Sequence, residues 1–330
     1  MSKQLNIGVV IPSYNEGNDL IETLQAIFNQ TSPFAEVIVV DDSLDGTEQL
    51  VQSTFGDKVK LVHRDSPQGR CSARNLGMQI STADVVVILN ADVHLPPDFC
   101  ATLKLKYSTE NCDALGVELF IENTTHPYPR YLYAQHLGLK TDSIGWTEGF
   151  SVRRSFFLKT KGFPEGYPLS ILAGEDAEWF FDLQRTGAKI CSDFNLKVNT
   201  VMPEDWETIK SQIKGRASLR TWHFVYDKAL LELLLRSIIK QSRRLFTLIT
   251  VLPFILQVVR LWRNFNHGWN DILHYGKYQL YVDLLRTYQE WQDIRVFVKL
   301  HRQNGWNIFE IFFKPPSQLV SKTPVNELLC

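Results

Sequence analysis

Over the first 120 residues, short apolar runs alternate with longer stretches in which apolar residues recur every three or four positions. Residues 7–11, 37–40, 59–62 and 85–89 are compact apolar runs, the signature of strands buried on both faces of a parallel sheet. Between the first two, Leu20, Leu24, Ile27 and Phe28 fall on one helical face, and Asp19 is placed to cap that helix. Repeated strand and helix predict a parallel α/β layer. No GxGxxG follows the first strand, so the dinucleotide fingerprint is missing.

The fourth run ends in Asn90-Ala91-Asp92 before the pair Pro96-Pro97. Ligands of open α/β sheets gather at the carboxyl edge of the strands, which places Asp92 to hold a metal or a phosphate. The second run ends in Asp41-Asp42. Two adjacent carboxylates either cap loops or meet hydrogen-bond donors of a ligand. In the helix opening at Gly69, Arg70 and Arg74 are one turn apart, a spacing that suits phosphate or base recognition and equally suits solvated surface arginines.

Four ordered segments, IPSYNEG (11–17), VVDDSLDGT (39–47), GRCSARN (69–75) and ILNADVHLPPDF (88–99), together resemble the inverting family 2 glycosyltransferases of the GT-A fold. The resemblance covers about the first 200 residues. It implies a mainly parallel Rossmann-like sheet and a nucleotide-sugar donor bound by Pro12, Tyr14, Asn15, Glu16, Asp42, Arg74, Asn90, Ala91 and Asp92. Asp92 would be the metal-binding carboxylate of the family's DxD motif, with Mg²⁺ or Mn²⁺ as cofactor. The chain departs from that motif at its first acid, which is Asn90 here, so weaker metal affinity is expected. A nucleotide diphosphate supplies most of such an ion's ligands, so one or two protein carboxylates suffice. His94 reads as an ordinary turn residue.

Farther along, residues 114–121 form a strand pattern and 128–139 an aromatic-rich helix. In 145–154 a Trp, an acid and two arginines come together; Trp146 either stacks on a sugar or, the safer reading, packs in the core. Gly149 and Phe150 resemble the family segment flanking the donor sugar. Glu175-Asp176 opens a helix continued by Trp179, Phe180 and Leu183 and stopped by Gly187, after a Gly- and Pro-rich loop at 162–174. Acids in a first helical turn are favoured by the macrodipole alone. The family places its catalytic acid pair at this point, which implies Asp176 as general base and Glu175 as a contact to donor or acceptor hydroxyls.

After residue 204 the strand patterns stop and helical ones continue to the end. This divides the chain into a catalytic region, 1–204 (nucleotide half 1–97, acceptor half 98–204), and a helical region, 205–330. By resemblance, Lys210, Lys214, Arg216, Arg220 and Trp222 lie where family members set basic residues against the diphosphate. The QxxRW motif of processive synthases is not matched, which favours single transfer. Residues 245–259 carry no charge and are flanked by Arg243, Arg244, Arg260 and Arg263. That is short of the roughly 20 residues a bilayer core requires, so an interfacial or re-entrant helix is expected. Tyr281, Leu284, Tyr288, Trp291, Ile294 and Val298 form a seam for another helix or a second subunit, and a loosely ordered tail is expected from Lys314.

Charge sharpens the picture. The 330 residues carry a formal net charge of only −1, but from Lys210 to Arg263 there are 11 Lys and Arg against two acids, Asp227 and Glu232. Such a segment suits the anionic cytosolic face of a membrane. The five cysteines are scattered without a CxxC pair, suggesting neither a disulfide framework nor a zinc site, and a reducing compartment. The first apolar run is a strand and not a signal peptide, and there is no internal repeat. The expected partners are a nucleotide sugar, a lipid-linked or glycan acceptor of envelope polysaccharide synthesis, an anionic membrane surface and a second copy through the last helices; no nucleic acid partner is indicated. The alternatives are a nucleotidyltransferase on the same platform and, because of Asn90, a non-catalytic sugar-nucleotide-binding scaffold.

Overall fold

The computed structural model describes residues 5–139, 144–165, 175–217, 229–303, 305 and 307–315. They fall into two compact units, one made of residues 5–122, 144–165 and 175–201, the other of 123–139 and the described residues after 201.

The first unit holds a single eight-stranded sheet in the order β3-β2-β1-β4-β7-β6-β8-β5. Its strands are β1 (Ile7–Ser13), β2 (Glu36–Asp41), β3 (Lys60–His63), β4 (Val85–Ile88), β5 (Val93–His94), β6 (Ala114–Ile121), β7 (Phe150–Arg153) and β8 (Ile190–Thr200). The four apolar runs are β1 to β4, paired in parallel. The mainly parallel α/β layer is therefore as the pattern predicts. Strand β7 inserts antiparallel between β4 and β6, while β6 and β8 run parallel. Alternate residues of β1, β2 and β4 feed two cores, one on each face.

The helices of this unit are α1 (Asn18–Phe28), α2 (Thr47–Phe55), α3 (Arg70–Ile80), α4 (Phe99–Thr109), α6 (Arg154–Phe157) and α7 (Glu175–Arg185). Leu20, Leu24 and Ile27 are the buried face of α1, as their spacing requires. Asp19 does not cap it: Gly17 takes that position with φ 49°, and Asp19 lies in the first turn, where the macrodipole still favours an acid. In α3, Gly77 sits so close to Val10 of β1 that a Cβ would overlap it. This close approach sets the depth at which Arg74, one turn earlier, enters the site.

One expectation is corrected by the sheet. Cys112 and Cys191 are joined by a disulfide, with Cα atoms 6.0 Å apart. The ladder pairs Leu115 with Cys191 and Ala114 with Ile190, which carries the residues just before β6 alongside the start of β8. A contact made by strand register across 79 positions leaves no spacing pattern to read. Among the described residues the one cluster of three potential metal ligands, Glu110, Cys112 and Cys191, includes this bonded pair.

The second unit is helical: α5 (Pro127–Leu137), α8 (Trp206–Ala217), α9 (Leu230–Thr250), α10 (Leu252–Asn264), α11 (Asn270–Gln303) and α12 (Ile308–Phe313). Arg130 of α5 forks onto Asp271 of α11, and Tyr128 and Tyr131 pack with Tyr275 and Tyr278. The buried face of α11 is thus Tyr275, Tyr278 and Val282; of the expected seam, Ile294 is buried, whereas Leu284, Tyr288 and Trp291 are exposed. The apolar run 245–259 is not one helix. It breaks at Val251, with φ 58°, and α9 and α10 are bent by 85° there. Among the described residues no single helix is long and apolar enough to cross a membrane. Much of the 162–174 loop (166–174), together with Arg220, Trp222 and the tail from 316, lies outside the described residues.

Candidate active site

The carboxyl ends of β1, β2 and β4 carry the predicted residues. Asn15 adopts φ 57°, a left-handed conformation that Asn tolerates, and this turns the chain sharply after β1. Its N–H donates to Ser43 Oγ (2.7 Å), and its Oδ1 accepts from Leu44 N–H (2.9 Å), tying the ends of β1 and β2 together. Pro12 is buried beneath this turn, and Tyr14 stands exposed above it.

Asp41 and Asp42 have different tasks. Asp41 accepts from His63 Nδ1 (2.8 Å), its register partner on β3. One position on, Asp42 faces Arg64. The guanidinium meets both carboxylate oxygens at 2.5 and 2.7 Å, and the N–H groups of Gln68 and Gly69 add two more bonds at 2.9 Å. With three of these bonds on Oδ2 and one on Oδ1, Asp42 anchors the start of α3. Arg64 was not among the expected residues, though a basic residue one step past a strand that pairs in parallel with an acid-ending strand was a readable signal.

Arg74 is the centre of the site. It is buried, and it donates from Nη1 to Glu175 Oε1 (2.9 Å) and from Nη2 to Asn90 Oδ1 (2.8 Å) and Thr147 Oγ1 (3.1 Å). Its guanidinium also lies over the Phe163 ring, 5.1 Å from the centroid. Arg70 reaches the same Glu175 at 2.7 and 2.9 Å, so it is an ion-pair partner and not a free surface charge. Glu175, expected to meet sugar hydroxyls, is instead enclosed by two arginines. Asn75 holds the neighbouring backbone, accepting from Phe163 N–H (2.7 Å) and donating to Phe163 O (2.8 Å). Helix α7 is seated by Trp179, which stacks on Phe163 at 4.8 Å and meets Phe150 edge-on. That packing fixes Asp176 in its first turn.

The remaining acids converge electrostatically. Burial pushes the Asp176 carboxyl up, and neighbouring Glu175 adds to the shift. Burial raises Asp92, with a further push from Asp19. Glu16 rises to about 7 through burial and then through the charges of Asp92, Asp19 and Asp45. Glu148, not named from sequence, also rises to about 7, through burial and then through Asp176 and Asp92 together. One side chain therefore feels both decisive acids, from two separate motifs. The turn bearing Asp92 is held from α1, where Thr23 Oγ1 donates to Ala91 O at 2.7 Å. Trp146 follows the core reading, its indole N–H donating to Val117 O at 3.0 Å.

These residues suit a divalent cation. Asp92 offers one half-buried carboxylate within reach of the charges of Glu16 and Glu148, a surplus of negative charge that a cation relieves. It leaves room for phosphate and water ligands.

Residues 8–163 match Glycosyl transferase family 2. This segment is a family 2 glycosyltransferase domain. Among relatives of the family 2 domain, Glycosyltransferase AglE of Haloferax volcanii is 27% identical over 189 residues, covering 52% of this chain and 59% of that protein. The hyaluronan synthase of Streptococcus pyogenes is 31% identical over 126 residues, 36% of this chain and 30% of that one. The chain thus spans less than two thirds of the length of either relative. Mannosyltransferase PcManGT from Pyrobaculum calidifontis, solved with GDP-Man and Mn²⁺, superposes with a TM-score of 0.52 at 17% identity, over 93% of this chain and 77% of that one. S. aureus TarS 1–349, solved with UDP-GlcNAc, gives 0.50 at 16% identity, over 65% of each. At such identities the likeness is one of fold, and that fold is GT-A.

Proposed function

We propose that this protein is an inverting glycosyltransferase that moves a sugar from a nucleotide-sugar donor to an acceptor hydroxyl, with Asp176 as general base. The observation that carries the reading is the position of Arg74, whose guanidinium donates at once to Asn90, two residues before Asp92, and to Glu175, one before Asp176. One rigid, buried fork thereby draws the motif at the end of β4 and the motif at the start of α7 to a common point.

The acceptor oxygen attacks the anomeric carbon as the bond to the diphosphate breaks. Its proton passes to Asp176, and the nucleoside diphosphate leaves with the bonding electrons. A carboxylate raised by burial is a better base than a solvated one, which suits Asp176. Asp92 would hold Mg²⁺ or Mn²⁺, which supplies charge stabilisation to the departing diphosphate. Arg74 and Arg70 hold Glu175, which anchors the first turn of α7.

The helical unit supports a site of action at a membrane surface. Leu245, Phe246, Ile249, Leu252, Ile255 and Leu256, on both sides of the break at Val251, are 48 to 69% exposed. No acid occurs between Glu232 and Asp271, while Arg236, Lys240, Arg243, Arg244, Arg260 and Arg263 do. An apolar elbow with basic flanks is built to lie in an anionic leaflet, and a lipid-linked or nascent glycan acceptor belongs there.

The test is to offer the full chain a panel of nucleotide sugars with membrane lipid extract and Mn²⁺. Consumption of one donor with transfer to lipid or glycan is expected. Nucleotide transfer with pyrophosphate release, or binding without turnover, would replace this reading with one of its rivals.

A further inference from the structure

The antiparallel ladder of β4 and β7 pairs Ile88 with Phe150. It continues in the bond from Gly149 N–H to Ile88 O, 3.0 Å. One step farther, Asn90 stands across from Glu148, and Asn90 Nδ2 donates to Glu148 Oε1 at 3.2 Å. The other end of the same amide accepts from Arg74 at 2.8 Å. Asn90 is thus a two-ended connector, acceptor toward a cation and donor toward an acid.

An aspartate at position 90 would satisfy Arg74 equally well but could not donate to Glu148. It would set two carboxylates at hydrogen-bond range in a half-buried site, where each opposes ionisation of the other. The amide at 90 and the acid at 148 therefore belong together. Strand register makes them partners although they are 58 positions apart. Glu148 is also within electrostatic reach of both Asp92 and Asp176.

We propose that Glu148 is the displaced acid of the Asn90-Ala91-Asp92 turn: together with Asp92 it provides the anionic contact to the cation-bearing diphosphate of the donor that the neutral Asn90 cannot make. The proposal rests on the nucleotide-sugar reading above. It explains how the turn at 90–92 keeps cation-assisted donor binding with a single acid of its own, and it gives the acid of the 145–154 segment a role in donor binding.

The experiment is titration calorimetry of a nucleoside diphosphate panel (ADP, CDP, GDP, UDP and dTDP), with and without MnCl₂, on the full-length protein, E148Q and N90D/E148Q. In the parent protein Mn²⁺ should tighten one diphosphate. E148Q should lose about tenfold or more of that gain, the scale of a supporting contact at a metal site. N90D/E148Q, which restores an acid and an amide in reversed order, should recover most of it. An unchanged gain in E148Q, or a double variant no better than E148Q, overturns the proposal. If E148Q alone does not fold, a folded N90D/E148Q that keeps the Mn²⁺ gain supports the exchange, and one that lacks it overturns it. A parent protein that binds no diphosphate at all would overturn the donor reading itself, an outcome distinct from failure of the variants.

Discussion

Arg74 donates from Nη1 to Oε1 of Glu175 across 2.9 Å, joining the middle of α3 to the first residue of α7 with both side chains buried. Removing one partner of such a pair leaves an uncompensated buried charge, at a cost of about 3–5 kcal/mol. R74A should therefore lower unfolding free energy by an amount in that range. R74K keeps the charge but not the planar fork, so it should recover part of the stability and little of the transfer. Denaturant unfolding and donor turnover of both variants check this; an R74A protein of parental stability would deny Arg74 its bridging role.

For Asp176, substitution by Asn retains shape and removes the proton acceptor. D176N should fold normally and bind the nucleoside diphosphate as the parent does, yet lose transfer by on the order of 10² or more. Steady-state rates set beside diphosphate affinity separate these effects, and near-parental turnover would take Asp176 out of the mechanism.

The sheet was legible because its central strands are compact apolar runs, and β1 to β4 stand where residues 7–11, 37–40, 59–62 and 85–89 put them. Asp92 was legible for the same reason, since it follows the end of β4, and Asp176 because it lies in the first turn of a helix whose apolar face is regular. What stayed hidden depends on register. Asn90 meets Glu148 and Cys112 meets Cys191 because neighbouring strands align them, and a single chain shows no period linking such positions. The buried face of α11 also depends on a long-range choice. Aromatic residues recur on more than one stripe, and it is Tyr128 and Tyr131 of α5 that select Tyr275 and Tyr278.

In the helical unit, Asp271 is buried, accepts three hydrogen bonds from Arg130, and takes a fourth from His267 N–H at 2.7 Å. Burial alone pushes its carboxyl upward, but the Arg130 and His267 bonds outweigh it and hold the group below the usual carboxylate range. A lowered folded-state value means stability that is present above the unfolded value of about 3.9 and is lost as pH falls through the folded value. The melting temperature should drop on acidification below about pH 4, and D271N should flatten part of that drop. Thermal melts of both proteins from pH 7 to 3 test this; identical slopes would show that the pair contributes nothing.

The Cys112 to Cys191 bond closes a loop with a sequence separation of 79. Chain-entropy arguments give a crosslink of that span roughly 4.5 kcal/mol, and measured values more often fall at about 2–4 kcal/mol. Reductant should therefore lower the melting temperature of the oxidised protein, and C112S/C191S should melt where the reduced protein does, with no further response. Equal melting temperatures in both redox states would mean that β6 and β8 are held by their ladder alone.

The elbow at Val251 is the feature of the helical unit with the clearest outward consequence. Leu252 and Leu256 are 61 and 59% exposed, so exchanging them for Asp removes little packing, and stability should change by no more than about 0.5 kcal/mol. On a membrane the same side chains would be buried, each contributing about 1.5–3 kcal/mol. Losing both should weaken vesicle binding by on the order of 100-fold or more, while R243E/R260E should act mainly through salt-dependent attraction. Sedimentation with phosphatidylglycerol-rich and with neutral phosphatidylcholine vesicles separates the two contributions. The parent should bind the anionic vesicles, more weakly as salt is raised, and L252D/L256D should stay in the supernatant. If parent and L252D/L256D sediment alike, the apolar elbow is not the membrane contact, and a second protein chain becomes the better candidate to cover it.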